Sequence, residues 1–193
     1  MKPFAFGYKC SWYVVRSTDG TAVADAVELQ DRSSVSWEDG IRAAYGNKIF
    51  ITPPVGEWTA IVGARLGGGW DALEELSRTF GIAMFFGTHR VSDYCEWMRA
   101  GNGTVSRAFC FSEYQAVVDE GDVTLEETEL GFGIPDPDEE WEEDEEPMWS
   151  PDEEFVMRIA GRWCFNPQDL EKHPEMSVSE PGILGASPGR LPH

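Results

Sequence analysis

Between Arg107 and Arg158 the chain runs for fifty residues without a lysine or an arginine, and this interval contains nineteen acidic residues. The other 143 residues hold sixteen acids and fifteen bases, so they are close to neutral, although the whole chain has a net charge of -20. Dense like charges repel one another and resist packing into a core. The sequence therefore predicts a nearly neutral folded body that carries an acidic insertion.

The charge is densest in this predicted insertion, at about 133–149. One interpretation is a solvated acidic loop that only aids solubility. The other is a negative surface that binds a basic protein, because large apolar side chains inside an acidic run are costly to leave in water and are not needed for solubility. The predicted partner-binding residues are the acids and apolar anchors of this run, namely Asp138, Glu139, Glu140, Trp141, Glu142, Glu143, Asp144, Glu145, Glu146, Met148 and Trp149.

The length and composition suit one globular domain. A chain of 193 residues, 41% of them apolar, with eight Trp and eleven Phe, can bury a substantial core without metal or disulfide support. Beyond residue 172 the chain is rich in Pro, Gly and Ser and has no periodic pattern. We therefore expect a single domain over 1–172, with the acidic insertion inside it, and a disordered tail over 173–193.

The clearest local signal is a β-hairpin at 93–112. Alternating apolar and polar residues flank a Gly-Asn-Gly sequence at 101–103, a composition that favours a tight turn between two antiparallel strands. On this pattern Glu96, Arg99 and Arg107 are expected to be ordinary solvent-facing strand residues.

Strands and helices follow one another in mixed order along the chain. Residues 11–15 and 82–86 are rich in β-branched and aromatic residues and predict strands, whereas residues 70–80 place their apolar side chains on one helical face. At the end of the acidic interval, Ser150 followed by Pro151 predicts the start of a capped helix. Together with the hairpin, this order favours an α+β fold, with a mainly antiparallel sheet and helices packed on one face.

The cysteines and the apolar runs bear on the cellular compartment. Cys10, Cys95, Cys110 and Cys164 form no CxxC pair and match no zinc-ligand spacing. No run approaches the roughly 20 apolar residues of a membrane-spanning helix, and the N-terminal residues lack the apolar core of a signal peptide. We therefore expect a cytoplasmic protein with reduced, buried thiols and no membrane partner.

One set of residues suggests catalysis. A thiol nucleophile requires a histidine base and a carboxylate that orients it, and His89, Asp93, Cys95 and Cys110 supply these residue types around the predicted hairpin. No family signature surrounds either cysteine, and a strand-end histidine with only structural hydrogen bonds is the commoner arrangement. The sequence predicts no catalytic residue, and an enzyme that uses these four groups is the alternative.

No metal site, cofactor or nucleic-acid partner is expected. The other two histidines, His173 and His193, lie in or beside the predicted tail, and the acidic residues at 136–140 lack the glycine that a calcium loop requires. The glycine-rich stretches at 63–69 and 101–103 match no phosphate-binding loop. Direct nucleic-acid binding needs a positive surface, which this charge distribution opposes.

In its general character the chain resembles bacterial immunity proteins, which are small, acidic and cytosolic. The resemblance is carried by size, charge and the lack of a catalytic motif, so it assigns no role to any individual residue. It implies a non-enzymatic inhibitor that neutralises a basic protein toxin, for example a nuclease, by covering it with an acidic surface. Two alternatives stay open: the small enzyme built around His89, and an adaptor or assembly factor for a basic protein.

Overall fold

The computed structural model describes residues 2–134, 149–172 and 180–187. Nine strands are defined in these residues: β1 (Ser11–Arg16), β2 (Gln30–Val35), β3 (Ile49–Ile51), β4 (Trp58–Gly63), β5 (Ile82–His89), β6 (Tyr94–Gly101), β7 (Thr104–Ser112), β8 (Gln115–Glu120) and β9 (Gly182–Ala186). The helices are α1 (Gly20–Ala26), α2 (Trp37–Ala44), α3 (Trp70–Phe80), α4 (Leu125–Glu129) and α5 (Glu153–Trp163), with a short 3-10 helix at Leu170–Lys172.

All nine strands join one antiparallel sheet. Its order is β2-β9-β3-β4-β1-β5-β6-β7-β8, so β2 and β8 are the two edges. The α+β class and the mainly antiparallel sheet predicted from the sequence are confirmed.

The predicted hairpin is formed by β6 and β7, which pair antiparallel. Asn102 and Gly103 both have positive φ angles, 49° and 85°, as a tight two-residue hairpin turn requires. Glycine suits the second position because it has no Cβ to oppose that conformation.

The sheet has an apolar core on each of its faces. Side chains of one strand alternate between the two, so Trp12 belongs to one cluster and Tyr13 to the other. Helices α2 and α5 cover the first face, whereas α1 and α3 cover the second. The expectation that the helices pack on one face is therefore wrong. A central strand such as β1, buried throughout from Ser11 to Val15, needs cover on both sides.

The predicted disordered tail over 173–193 also needs correction. Residues 182–186 form β9, which pairs with β2 on one side and with β3 on the other. Leu184 of β9 packs on the first apolar cluster and Ile183 on the second. The short Gly-Ile-Leu-Gly-Ala sequence has no alternating pattern to reveal a strand, and its pairing partners lie far away in the sequence.

No helix in the described parts of the chain combines the length and the apolar character needed to cross a membrane.

Candidate partner-binding surface

An acidic cleft lies at the sheet end that carries the β5–β6 turn. Its volume is about 500 Å³, and Arg90 is the only basic residue among the described residues that line it. Asp93 lines it from the turn, and the start of α5 contributes three consecutive acids. The other lining residues are Tyr8, Tyr94, Cys95, Ser150 and Pro151. The cleft thus lies beside the residues that directly follow 135–148, the part of the predicted acidic insertion that is outside the described residues.

The three acids are placed by the start of α5. Asp152, rather than the predicted Ser150, is the capping residue, and its side chain accepts a hydrogen bond of 2.7 Å from the backbone N–H of Phe155. Oε1 of Glu153 accepts hydrogen bonds from the backbone N–H of Lys9, at 3.1 Å, and from Oγ1 of Thr88, at 3.0 Å. These bonds tie the start of α5 to the sheet and fix the acids beside the cleft.

Burial and nearby carboxylates raise the pKa of two phenol groups, one that lines the cleft and one on the neighbouring β7–β8 turn. Partial burial, followed by the carboxylates of Glu154, Glu153 and Asp152, raises the pKa of Tyr8. On the β7–β8 turn, a hydrogen bond to Asp93 raises the pKa of Tyr114. A cation in this cleft would be attracted by the same carboxylates that disfavour a phenolate.

Trp149 is the one predicted anchor that the structure describes. Its ring centroid lies 4.6 Å from that of Phe132, 5.5 Å from Phe155 and 5.8 Å from Phe109, so the ring is part of the protein's own aromatic cluster. The Phe132–Trp149 contact also holds together the two ends of the chain that flank residues 135–148. The other predicted partner-binding residues, from 138 to 146 together with Met148, lie outside the described residues.

Arg107 is the centre of a polar cluster that the sequence did not predict. It was expected to face solvent, but its side chain is 1% exposed and pairs with Glu127, which is fully buried. Nη1 of Arg107 also lies 2.6 Å from Oδ1 of Asp119 and donates to the backbone carbonyl of Glu120 at 3.1 Å. Its Nη2 alone lacks a hydrogen-bond partner within the described residues. One buried cation therefore connects β7, β8 and α4.

Glu96 is also buried, again contrary to the expectation of a solvent-facing strand residue. Tyr94 donates a hydrogen bond to its carboxylate. A Cβ added to Gly68 would meet this carboxylate at 2.4 Å, which shows how closely the glycine-rich segment before α3 covers it. Burial raises the pKa of Glu96, and the hydrogen bond from Tyr94 opposes that shift.

The four residues proposed for catalysis do not form one site. His89 is exposed and lies within 3.2 Å of the hydroxyl of Ser92, in a cleft with Lys9 and Arg65. Cys95 and Asp93 line the acidic cleft instead. Cys110 pairs in register with Glu96, the neighbour of Cys95, so the two thiols point to opposite faces of the sheet.

Burial makes both of these thiols poor nucleophiles. It raises the pKa of the Cys95 thiol to about 12 and that of the Cys110 thiol to about 12, and the thiolate is the reactive form. No group of three or more His, Cys, Asp or Glu side chains is arranged to hold a metal ion in the ranges that the structure describes.

Fold and surface together define an α+β protein with a nine-stranded antiparallel sheet and an acidic cleft at one sheet end. Comparison with protein-family models, with curated proteins and with solved structures finds no match for this chain. What the protein binds must therefore be inferred from its own surface.

Proposed function

We propose that this protein binds a basic protein partner through its acidic interval and acts as an inhibitor of the immunity-protein type. The partner would be a basic toxin such as a nuclease, and the inhibitor would act in the cytoplasm by covering the partner's cationic substrate-binding surface. The observation that carries the proposal is the segregation of charge: nineteen acids and no lysine or arginine in fifty residues, against a nearly neutral remainder.

The described residues support this proposal at both ends of the insertion. On the return side, Asp152, Glu153 and Glu154 are fixed beside the acidic cleft by the start of α5. At the base of the insertion, the contact between Phe132 and Trp149 joins its two ends. Concentrated charge that is held beside a folded surface speeds encounter with an oppositely charged partner.

Trp149 enters this proposal differently from the sequence-based hypothesis. Its ring contacts Phe109, Phe132 and Phe155 of the same chain, so we assign it to holding the base of the insertion. Trp141 and Met148 keep the proposed role of apolar anchors on the partner.

The test begins with capture of partners on the tagged full-length protein, followed by measurement of affinity with each purified partner by calorimetry. We expect the affinity to fall by at least tenfold between about 50 and about 500 mM salt, because screening shortens the reach of the charges. Replacing residues 138–146 by Ser and Gly should abolish binding and, for a nuclease, restore its activity in the presence of the protein.

A matched pair of variants separates the effect of charge inside the insertion from the effect of the overall net charge. Glu142→Gln with Glu143→Gln removes two charges inside the run, and Asp31→Asn with Asp71→Asn removes two from the exposed surface elsewhere. The first pair should weaken binding several-fold more than the second. Equal affinity for the partner after the whole run is replaced would refute the proposed function.

A further inference from the structure

The edge strand β8 has properties that the opposite edge lacks. It pairs with β7 on one side only, and within the described ranges its other side has no strand partner. An edge strand presents unpaired backbone N–H and C=O groups that can accept another strand. Five of its six residues are exposed, so the described residues leave this edge open.

Exposed apolar side chains are concentrated along this edge. Of the nine large apolar side chains that are exposed among the described residues, four lie within the twelve residues from 114 to 125. They are Tyr114, 70% exposed, Val117, 52% exposed, Val123, 46% exposed, and Leu125, 71% exposed. Apolar side chains grouped in this way are typical of interaction sites.

The same edge is acidic. Residues 113–129 contain seven acids and no basic residue. Asp119 and Glu127 are paired with Arg107, and Glu129 is paired with Arg162. The other four acids, Glu113, Glu120, Asp122 and Glu126, have no ion-pair partner in the part of the chain that the structure describes.

Arg107 keeps this edge in place. Its guanidinium, buried beneath the strand, bonds to the side chain of Asp119 and to the backbone carbonyls of Glu120 and Gly121. The C-terminal end of β8 is thereby attached to β7 by side-chain bonds as well as by the strand pairing. A preorganised strand loses less conformational freedom when it accepts a partner.

The opposite edge, β2, provides an internal comparison. Its sequence, Gln-Asp-Arg-Ser-Ser-Val, is exposed over its first five residues, but none of its side chains is among the exposed large apolar ones. It also contains a cation, Arg32, which pairs with Asp25. The β8 edge therefore differs from an ordinary edge strand in combining exposed apolar side chains with uncompensated negative charge.

We propose that β8 is a docking edge to which an extended basic segment of the partner is added as a further antiparallel strand. Main-chain hydrogen bonds to β8, on both sides of the irregular step in its pairing with β7 at Val117, would give affinity. An apolar side chain against Val117, together with Lys or Arg near Glu113, Glu120 and Asp122, would give specificity. This inference rests on the proposed function, because it assumes a basic partner, and it adds where and how that partner binds.

The first experiment uses two capped, fluorescent peptides of equal charge and about eight residues, the length of an ordinary strand. One alternates Lys and Val, and the other has two of its Val residues replaced by Pro, which prevents strand pairing. We expect the alternating peptide to bind the full-length protein at least about tenfold more tightly than its proline counterpart.

The second experiment compares one charge change at the two edges. Val117→Lys and Ser33→Lys each place one new cation on an exposed edge strand. We expect Val117→Lys to weaken binding of the alternating peptide by about tenfold or more, and Ser33→Lys by no more than about twofold. Far-ultraviolet circular dichroism and thermal unfolding test whether each variant is folded.

Backbone hydrogen exchange tests, on the unmodified protein, whether the peptide is added as a strand to β8. With saturating alternating peptide, exchange in residues 115–120 should slow by at least about tenfold, whereas residues 30–35 should be unchanged.

Three outcomes would overturn strand addition while leaving the basic-partner function standing. They are equal binding of the two peptides, equal effects of the two lysine substitutions, and no protection of β8 from exchange. Failure of both peptides to bind would overturn the docking proposal alone, because the proposed function is tested separately by replacing residues 138–146. A dimer with β8 already protected before any peptide is added would assign the edge to a second copy and overturn the docking proposal.

Discussion

Arg107 and Glu127 form an ion pair in which both side chains are buried. Nε of Arg107 lies 2.9 Å from Oε1 and 3.0 Å from Oε2 of Glu127, and the two side chains are 1% and 0% exposed. Oε1 of Glu127 also accepts from Nε1 of Trp97 at 2.8 Å, and Oε2 accepts from the backbone N–H of Thr124 at 2.8 Å. The carboxylate therefore joins the sheet to the start of α4.

Removing the cation from this pair should strongly destabilise the fold. Arg107→Met leaves the Glu127 carboxylate buried without its counter-ion, and we expect the free energy of unfolding to fall by about 3 to 5 kcal/mol. Urea unfolding followed by tryptophan fluorescence measures this. The control is Arg42→Met, which breaks an exposed pair with Glu38 and should cost no more than about 0.5 kcal/mol. A similar small loss for both variants would show that the buried pair is not needed for stability.

The position of β9 in the sheet gives a second prediction. A Cβ added to Gly182 would lie 2.2 Å from Cε2 of Phe50 and 2.7 Å from the backbone carbonyl oxygen of Ile51. Because the backbone cannot move aside cheaply, Gly182→Ala should destabilise the protein by about 1 to 3 kcal/mol. At Gly101, another strand glycine, the nearest atom to an added Cβ is 3.9 Å away, so Gly101→Ala should be tolerated. Equal unfolding temperatures for both variants would contradict the placement of β9.

Local chemistry explains which parts of the fold the sequence predicted. The hairpin depends on Asn102 and Gly103, and helix α3 depends on apolar side chains that share one helical face within residues 70–80, so both can be recognised from a short stretch of sequence. The strand β9 pairs with residues near 30 and 50 instead. Its sequence contains no local signal of that pairing.

The residues of the candidate site were harder to predict, because their contacts also join parts of the chain that are far apart in the sequence. Arg107 was expected to face solvent because arginine is rarely buried unless it is paired, and its charged partners Asp119 and Glu127 lie 12 and 20 residues further along the chain. The concentration of charge was evident from composition alone, because charge can be counted without knowing the fold. The exposure of Val117 on an edge strand, and of Tyr114 on the turn before that strand, could be recognised only from the strand order.

The thiols provide a third prediction, which bears on the enzyme alternative. Burial raises the pKa of Cys10, Cys95, Cys110 and Cys164 to about 12 in each case. Since thiolate is scarce far below the pKa, a thiol reagent at pH 7.5 should label the native protein at least a hundredfold more slowly than the urea-unfolded chain. Rapid labelling of Cys95 in the native state would instead support a reactive thiol in the acidic cleft.

A fourth prediction separates the two roles considered for Trp149. If the ring belongs to the protein's own core, Trp149→Ala should lower the free energy of unfolding by about 2 to 3 kcal/mol, somewhat less than for a fully buried Trp. Trp149→Phe should recover much of this loss by restoring a ring beside Phe132. The control is Trp70→Ala, where the side chain is 42% exposed and the expected loss is below about 1 kcal/mol. Unchanged stability with weaker partner binding would return Trp149 to the role of an anchor.

The last prediction concerns Glu96 and pH. Burial raises the pKa of Glu96 above that in the unfolded chain, so between these two pKa values the folded protein binds more protons than the unfolded chain. The contribution of Glu96 to stability therefore falls as pH rises through this window, by roughly 1.4 kcal/mol for each unit between the two pKa values. Above the window it stays at this lower level.

Glu96→Gln removes this ionisation while it keeps the shape of the side chain. Its stability relative to the unmodified protein should therefore be lowest near pH 4 and should increase as pH rises, which urea unfolding at a series of pH values measures. Glu57→Gln, at an exposed carboxylate paired with Arg16, should show little such increase, because solvent screens the group. A constant difference between Glu96→Gln and the unmodified protein from pH 4 to pH 8 would mean that the carboxylate of Glu96 reaches water in the folded state.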